Sequence, residues 1–200
     1  MPEPKVIFID WNKTLSESHF WRHFPEAETV MFLANRELLN PWMRGECTSE
    51  KICQTIAEET TFSESDIFND LKESCAVMEF VDHEVPELIR KIRARGVRVV
   101  LATDNMDCFS RFTVPALKLR ELFDDVLISC DMKILKVEVW ESCIPFFKKF
   151  IAENNLTYAD TVLLDDSDWF AEEYERLGLP VIVIENKEKL LEVLRGYAGE

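Results

Sequence analysis

An α/β fold built on a doubly wound parallel sheet is what the chain predicts, and three observations carry that expectation. Short apolar runs recur without polar alternation, the habit of strands covered on both faces. Stretches with helical spacing separate these runs between residues 83 and 195, giving the strand–helix rhythm of right-handed crossovers. One long helical stretch, residues 16 to 82, stands between the first strand and the second.

Taken in order, "VIFI" at 6–9 is the first strand, and the next convincing one begins only near Val97. Between them lie "PEAETVMFLANRELLN", "TSEKICQTIAEET" and "SESDIFNDLKESCAVMEF". Each is expected to be helical, and the second and third open with Ser or Thr and Glu in helix-start positions. "HEVPELIRKIRARG" (83–96) is a helix ending on Gly, as a helix before a strand should. It leads into the strand "VRVVLAT" at 97–103, and "DVLIS" at 125–129 is a shorter strand of the same kind. "EVWESCIPFFKKFIAENN" (138–155) is expected to be a helix before the strand "TVLLDD" at 161–166. "DWFAEEYERLG" (168–178) is expected to be another, opened by Ser167 or Asp168, before "PVIVIE" at 180–185.

The chain has 200 residues, 47% of them hydrophobic, with 5 Gly and 8 Pro. A chain of this length hides roughly 70% of its extended surface on folding, enough for one substantial core. Net charge is −15, from 38 acidic and 23 basic residues. That balance argues against nucleic acid and anionic membrane surfaces as partners. A protein this acidic that handles an anionic substrate must invert the field locally, with a metal, a lysine or helix N-termini. The six cysteines form no CxxC and no His pairing at metal spacing, so they read as thiols of a reducing compartment. "MPEPK" leads into too short an apolar run for a signal peptide, and nothing approaches the roughly 20 apolar residues of a membrane span. A cytoplasmic location is expected.

Ligands of open parallel sheets bind beyond the carboxyl ends of the strands. Those ends carry Asp10, then Thr103 with Asp104 and Asn105, then Asp165 with Asp166. Asp10 alone reads as a turn or helix cap, and Asp165-Asp166-Ser167 as the cap of the following helix. Together they place carboxylates at one edge, where mutual repulsion raises pKa values or draws in a cation. An all-oxygen set of this kind suits Mg²⁺.

The set resembles the haloacid dehalogenase-like hydrolases, whose four motifs occur along the chain in this order. "VIFIDWNKTL" is similar to their first motif, a strand followed by Asp-x-Asp-x-Thr. "VVLATDN" is similar to the second, a strand ending in Ser or Thr. "SCDMKILK" places Lys136 seven residues after Ser129, where the third-motif lysine falls in many members, with Lys133 a competitor. "TVLLDDSDWFAEEYERLG" is similar to the fourth, an acidic pair between strand and helix. The resemblance implies a Rossmann-like core over 1–15 and 83–200, with the helical stretch 16–82 as a cap.

It also implies an activity, that of a phosphatase. Asp10 would attack phosphorus and form an aspartyl-phosphate. Mg²⁺ would be held by Asp10, the Asn12 carbonyl, Asp165 and Asp166, for a small phosphorylated substrate. Thr103 and the backbone N–H groups of Asp104 and Asn105 would receive the phosphoryl oxygens, and Lys136 would neutralise their charge.

Asn12 departs from the pattern, since the family's phosphatases carry Asp there as general acid and base. An amide cannot pass a proton, and general acid–base help is worth on the order of 10²–10⁴ in rate. A weak or inactive relative that binds phosphate or a partner is therefore one alternative. A dehalogenase, whose halide leaves without a proton, is another, but it needs no acidic pair for a metal. A signalling receiver domain is rejected because its acidic pair follows the first strand, not the fourth. Phe170 stands where many members have a second acidic or amide residue, with Asp168 nearby, and Lys13 replaces a common Gly. "SHFWRHF" (18–24) either lines a pocket or belongs to the core, its His19 and His23 four apart as on a helix face. Arg36 and Arg44 read as solvated. Oligomeric state is left open.

Overall fold

The computed structural model describes residues 3–200. Its five strands are β1 (Val6–Ile9), β2 (Arg98–Thr103), β3 (Asp125–Ile128), β4 (Thr161–Asp165) and β5 (Val181–Val183). They form one parallel sheet in the order β3-β2-β1-β4-β5. The order reverses between β1 and β4, which makes the crevice beyond their carboxyl ends the expected ligand position. Ile9 is level with Leu101 on one side and Leu164 on the other. The Asp10 N–H donates to the Leu164 carbonyl at 2.9 Å, so pairing continues to the carboxylate itself.

The absence of alternation in the strand sequences has its cause in two buried layers. Ile7, Ile9, Val99, Leu101, Val162 and Leu164 face one core. Val6, Phe8, Val100, Ala102 and Leu163 face the other, where Phe146, Phe147 and Phe150 pack against them.

Between β1 and β2 come α1 (Pro25–Thr29), a π turn (Val30–Ala34), a 3₁₀ turn (Arg36–Leu38), α2 (Leu39–Met43), α3 (Ser49–Glu59), α4 (Glu64–Ala76) and α5 (Val85–Ala94). Helices α3 and α4 start where the sequence expects them, with Thr48 accepting from the Lys51 N–H and Ser63 from the Asp66 N–H. The stretch 25–40 is not one helix. At Asn35 the backbone leaves helical geometry, and both its N–H and its side-chain amide donate to the Val30 carbonyl. Helix α5 ends before Gly96, whose φ of +90° is the left-handed conformation that terminates a helix.

Beyond β2 lie a π turn (Phe109–Thr113), α6 (Val114–Ala116) and α7 (Leu119–Leu122), and beyond β3 come α8 (Ser129–Met132) and α9 (Pro145–Glu153). The expected helix over 138–155 is thus only its second half. Ile144, preceding proline, is extended (φ −100°, ψ 104°), and Pro145 begins the helix. Helix α10 (Ala171–Arg176) also starts later than expected. Ser167 accepts from the Trp169 N–H in a turn instead of capping it. Helix α11 (Lys187–Ala198) closes the chain with an Asn186 cap. Among the described residues no helix is long and apolar enough to cross a membrane, and the six cysteines are free thiols.

The inserted helices are fastened to the residues just after β2. Asp107 accepts hydrogen bonds from Trp42 Nε1 (2.8 Å) and from the Ser49 N–H and hydroxyl (3.1 and 2.6 Å). Arg111 bridges Asp107 and Glu50, and the Thr113 hydroxyl donates to the Cys75 carbonyl at 2.8 Å. Trp11, Trp21 and Trp42 are fully buried in the core shared by this segment and the sheet.

Candidate active site

Asp10 follows β1 and Asp165 ends β4 because the strands' apolar residues are spent on the two cores, leaving the first polar residue at the carboxyl edge. Asp10, at 6% exposure, and Asp165 are both buried. With half-buried Asp166 they form a group whose carboxylate oxygens lie within 4.8 Å of one another. Burial pushes the Asp10 carboxyl up to about 7, and the Asp165 charge adds to this, while Lys136 opposes it. Asp166 is also raised, chiefly by burial and then by Asp165.

Lys136 supplies the counter-charge. Its Nζ is 2.6 Å from Asp165 Oδ2 and 2.9 Å from Asp10 Oδ1. The second contact is less well aligned than the first, and the ammonium there still favours the Asp10 carboxylate. Burial works against the Lys136 charge, but Asp10, Asp165 and Asp104 outweigh it and hold the ammonium protonated. Its backbone is fixed at both ends. The Lys136 N–H donates to Asp104 Oδ1 at 2.6 Å, and the Tyr174 hydroxyl donates to the Lys136 carbonyl at 2.6 Å. Lys133, the competitor on spacing, is elsewhere, donating to the Gly45 carbonyl at 3.0 Å.

Thr103 ends β2 with a buried hydroxyl beside the Asp10 carboxylate, which it favours without making a well-aligned hydrogen bond. Of its two neighbours, Asn105 differs from the sequence expectation. The Asn105 N–H is already taken, donating to Ser129 Oγ at 2.9 Å while that hydroxyl donates back to the Asn105 carbonyl. It is therefore not a free donor for an oxyanion, but the buried Asn105 Nδ2 is unpartnered. The Asp104 carboxylate is turned to the backbone of Lys136 and Val137 and anchors that loop.

Asn12 and Lys13 form the turn after Asp10. Lys13 has φ +58°, a left-handed conformation that costs a side-chain-bearing residue roughly 1–2 kcal/mol over glycine and explains why Gly suits the position. The turn opens onto a cleft of about 760 Å³ lined from the core by Asn12, Lys13 and Asp166 and from the inserted segment by His19, Phe20 and Phe32. His19 and His23 are not on a helix. His19 binds Glu28 and His23 binds Asp70, with Phe20 and Trp21 in the core. Arg44 is not free in solvent but pairs with Glu138 at 2.8 Å; Arg36 is exposed. Asp168 is exposed and outside the carboxylate group, while Phe170 stacks on Tyr174 at 6.3 Å.

Sequence reasoning missed Tyr174 and the Glu28–His19 pair. The hydroxyl of Tyr174, an aromatic residue on an otherwise charged helix, was the only trace of the first. The second had none.

A divalent cation fits this donor set. Three carboxylates face one lysine, and Asp10 Oδ1 has no well-aligned hydrogen bond. An all-oxygen group of this type is matched to Mg²⁺.

No family model and no curated protein matches the sequence. Solved structures do. A haloacid dehalogenase (HAD) family enzyme from Bacteroides thetaiotaomicron aligns with a TM-score of 0.70 at 16% identity, covering 96% of this chain and 98% of that one. The same enzyme in complex with magnesium and inorganic phosphate aligns at 0.65 and 17% identity, over 90% and 93%. A predicted HAD-like family hydrolase from Porphyromonas gingivalis gives 0.69 at 15% identity over 99% of both chains. The L-2-haloacid dehalogenase of Xanthobacter autotrophicus, with chloropropionic acid covalently bound, gives 0.59 at 12% identity, over 96% and 83%. The chain has the HAD-like fold over nearly its whole length.

Proposed function

We propose that this chain, folded as HAD-like enzymes are, is a magnesium-dependent phosphatase of a small phosphorylated metabolite. The observation that carries the reading is the pair of buried carboxylates Asp10 and Asp165 on the Lys136 ammonium, with half-buried Asp166 beside them, at the switch point of the sheet. Asp10 is the nucleophile. Its oxygen bonds to phosphorus, the ester bond to the leaving alcohol breaks, and water then releases phosphate from the aspartyl-phosphate. Lys136 holds Asp10 in line and balances the phosphoryl charge. The buried Thr103 hydroxyl, which has no well-aligned hydrogen bond, donates to a phosphoryl oxygen.

Asp10, Asp165, Asp166 and the Asn12 carbonyl would hold Mg²⁺, whose charge lets a carboxylate approach an anionic ester. Segment 16–82 acts as the cap, closing the cleft over the phosphate with Phe20 and Phe32.

Asn12 favours a second reading, a relative that binds phosphate with little or no turnover, because the amide moves no proton. Dehalogenation is disfavoured by the acidic pair, which it does not need. The test is a panel of phosphomonoesters with and without Mg²⁺, for the wild type and Asn12→Asp. Magnesium-dependent hydrolysis is expected, at least tenfold faster in the variant. Hydrolysis by neither protein rejects the phosphatase.

A further inference from the structure

Asn12 leaves a proton without a carrier, and the cleft holds one imidazole. His19 lies in the irregular run between the Asp10 turn and α1 and lines the same cleft as Asn12, Lys13 and Asp166. Its Nδ1 is 2.9 Å from Glu28 Oε2. Glu28 is itself fixed, its Oε1 accepting from the Phe20 N–H at 2.8 Å and the Trp21 N–H at 3.4 Å. A carboxylate held by backbone amides thus holds one nitrogen of an imidazole whose side chain is 72% exposed. With Nδ1 carrying its hydrogen toward Glu28, Nε2 is left to exchange a proton with a molecule in the cleft.

We infer that His19, oriented by Glu28, is the general acid and base of this site in place of Asn12. The inference rests on the phosphatase reading. As the Asp10 oxygen bonds to phosphorus, the His19 imidazolium gives its Nε2 proton to the departing alkoxide. In the second half, Nε2 takes a proton from the water that attacks phosphorus. The bond between phosphorus and the Asp10 oxygen breaks, and the carboxylate and imidazolium are both restored. Ester and water go in, alcohol and phosphate come out, and no co-reactant is needed.

The arrangement differs from an acid two residues after the nucleophile in one respect. The proton carrier belongs to the inserted segment, so acid–base help is present only when that segment and the core share one cleft. The charged groups facing His19 are Glu28 at its Nδ1, Lys13, Glu17, Asp166 and Glu185 around the cleft, and Arg22 and Glu79 across a smaller adjoining one.

The test uses p-nitrophenyl phosphate with Mg²⁺ and four proteins: wild type, His19→Gln, Asn12→Asp and the double variant. Nitrophenolate leaves without a proton, so His19→Gln should slow the second half-reaction and not the first. The expected result is a steady-state rate lower by about 10²-fold, with a burst of nitrophenolate stoichiometric with enzyme and loss of the acidic limb of the pH–rate profile. Placing Asp at position 12 should shrink the effect of His19→Gln to less than fivefold. Equal losses in both backgrounds, or no burst, overturn the assignment, because a binding or structural role would not depend on residue 12. Turnover in Asn12→Asp but none in the wild type overturns it too, and leaves the phosphatase reading standing. No turnover in any of the four removes both.

Discussion

Lys136 and Asp165 are joined by a 2.6 Å ion pair within the protein, and the same ammonium stands 2.9 Å from Asp10. One buried cation therefore serves two buried acids, and a third carboxylate, Asp166, lies alongside them. Removing one partner of such a pair is costly, about 3–5 kcal/mol, because the other is left uncompensated. Lys136→Met should lower the melting temperature, abolish turnover and increase the stabilisation given by Mg²⁺ relative to the wild type. Calorimetry with EDTA and with Mg²⁺ reads all but the turnover; unchanged stability in EDTA would contradict the pairing.

Asp10→Asn removes the nucleophile and keeps the shape. Turnover should vanish with the circular dichroism spectrum unchanged; surviving activity excludes Asp10 as the attacking group.

The same variant reads the pH dependence of stability. In the metal-free fold the Asp10 carboxyl sits at about 7, against an ordinary 3.8. The folded state then binds the proton more tightly than the unfolded one, so its contribution is complete below 3.8 and is lost as pH rises toward 7. Urea titrations in EDTA should show Asp10→Asn gaining stability over the wild type through that window. A difference independent of pH would show that Asp10 ionises as readily in the fold as outside it.

Thr103→Val separates stability from function. The hydroxyl is buried without a well-aligned hydrogen bond, so an apolar isostere should leave stability unchanged or raise it by about 1 kcal/mol. Phosphate release should slow all the same, because a donor to the phosphoryl group is gone. A destabilised variant would mean the hydroxyl already has a partner in the resting protein.

Asp107→Ala removes the acceptor of Trp42 Nε1 and of both Ser49 donors. Each buried group left unpaired costs about 1–3 kcal/mol. Hydrogen exchange should accelerate in α2 and α3 while β1 and β4 stay protected; uniform acceleration would point to global unfolding instead.

The strands were legible because both faces are covered. Ile7 and Phe8 serve different cores, and the run carries no polar residue to blur it. The carboxylates were legible for the same reason, since Asp10 and Asp165 are where each run stops. What failed was local geometry that periodicity does not encode. The break at Asn35 depends on closure onto Val30, and the late start of α9 on Pro145. The Asn105 amide looked available until Ser129, 24 residues on, was seen to occupy it. Pairs such as His19–Glu28 and Tyr174–Lys136 join residues whose meeting leaves no mark in spacing.

The Asp107 junction bears on how this chain could be recombined. Its sequence invites treating residues 16–82 as a cassette, bounded by two points where the sheet can be re-entered. Yet the acceptor that receives Trp42 and Ser49, and the Arg111 that reaches Glu50, lie on the far side of β2. A transplant cut at those points would arrive with its donors orphaned and leave a carboxylate behind with none. A cut that keeps these contacts would have to run through Thr113 and take β2 with it.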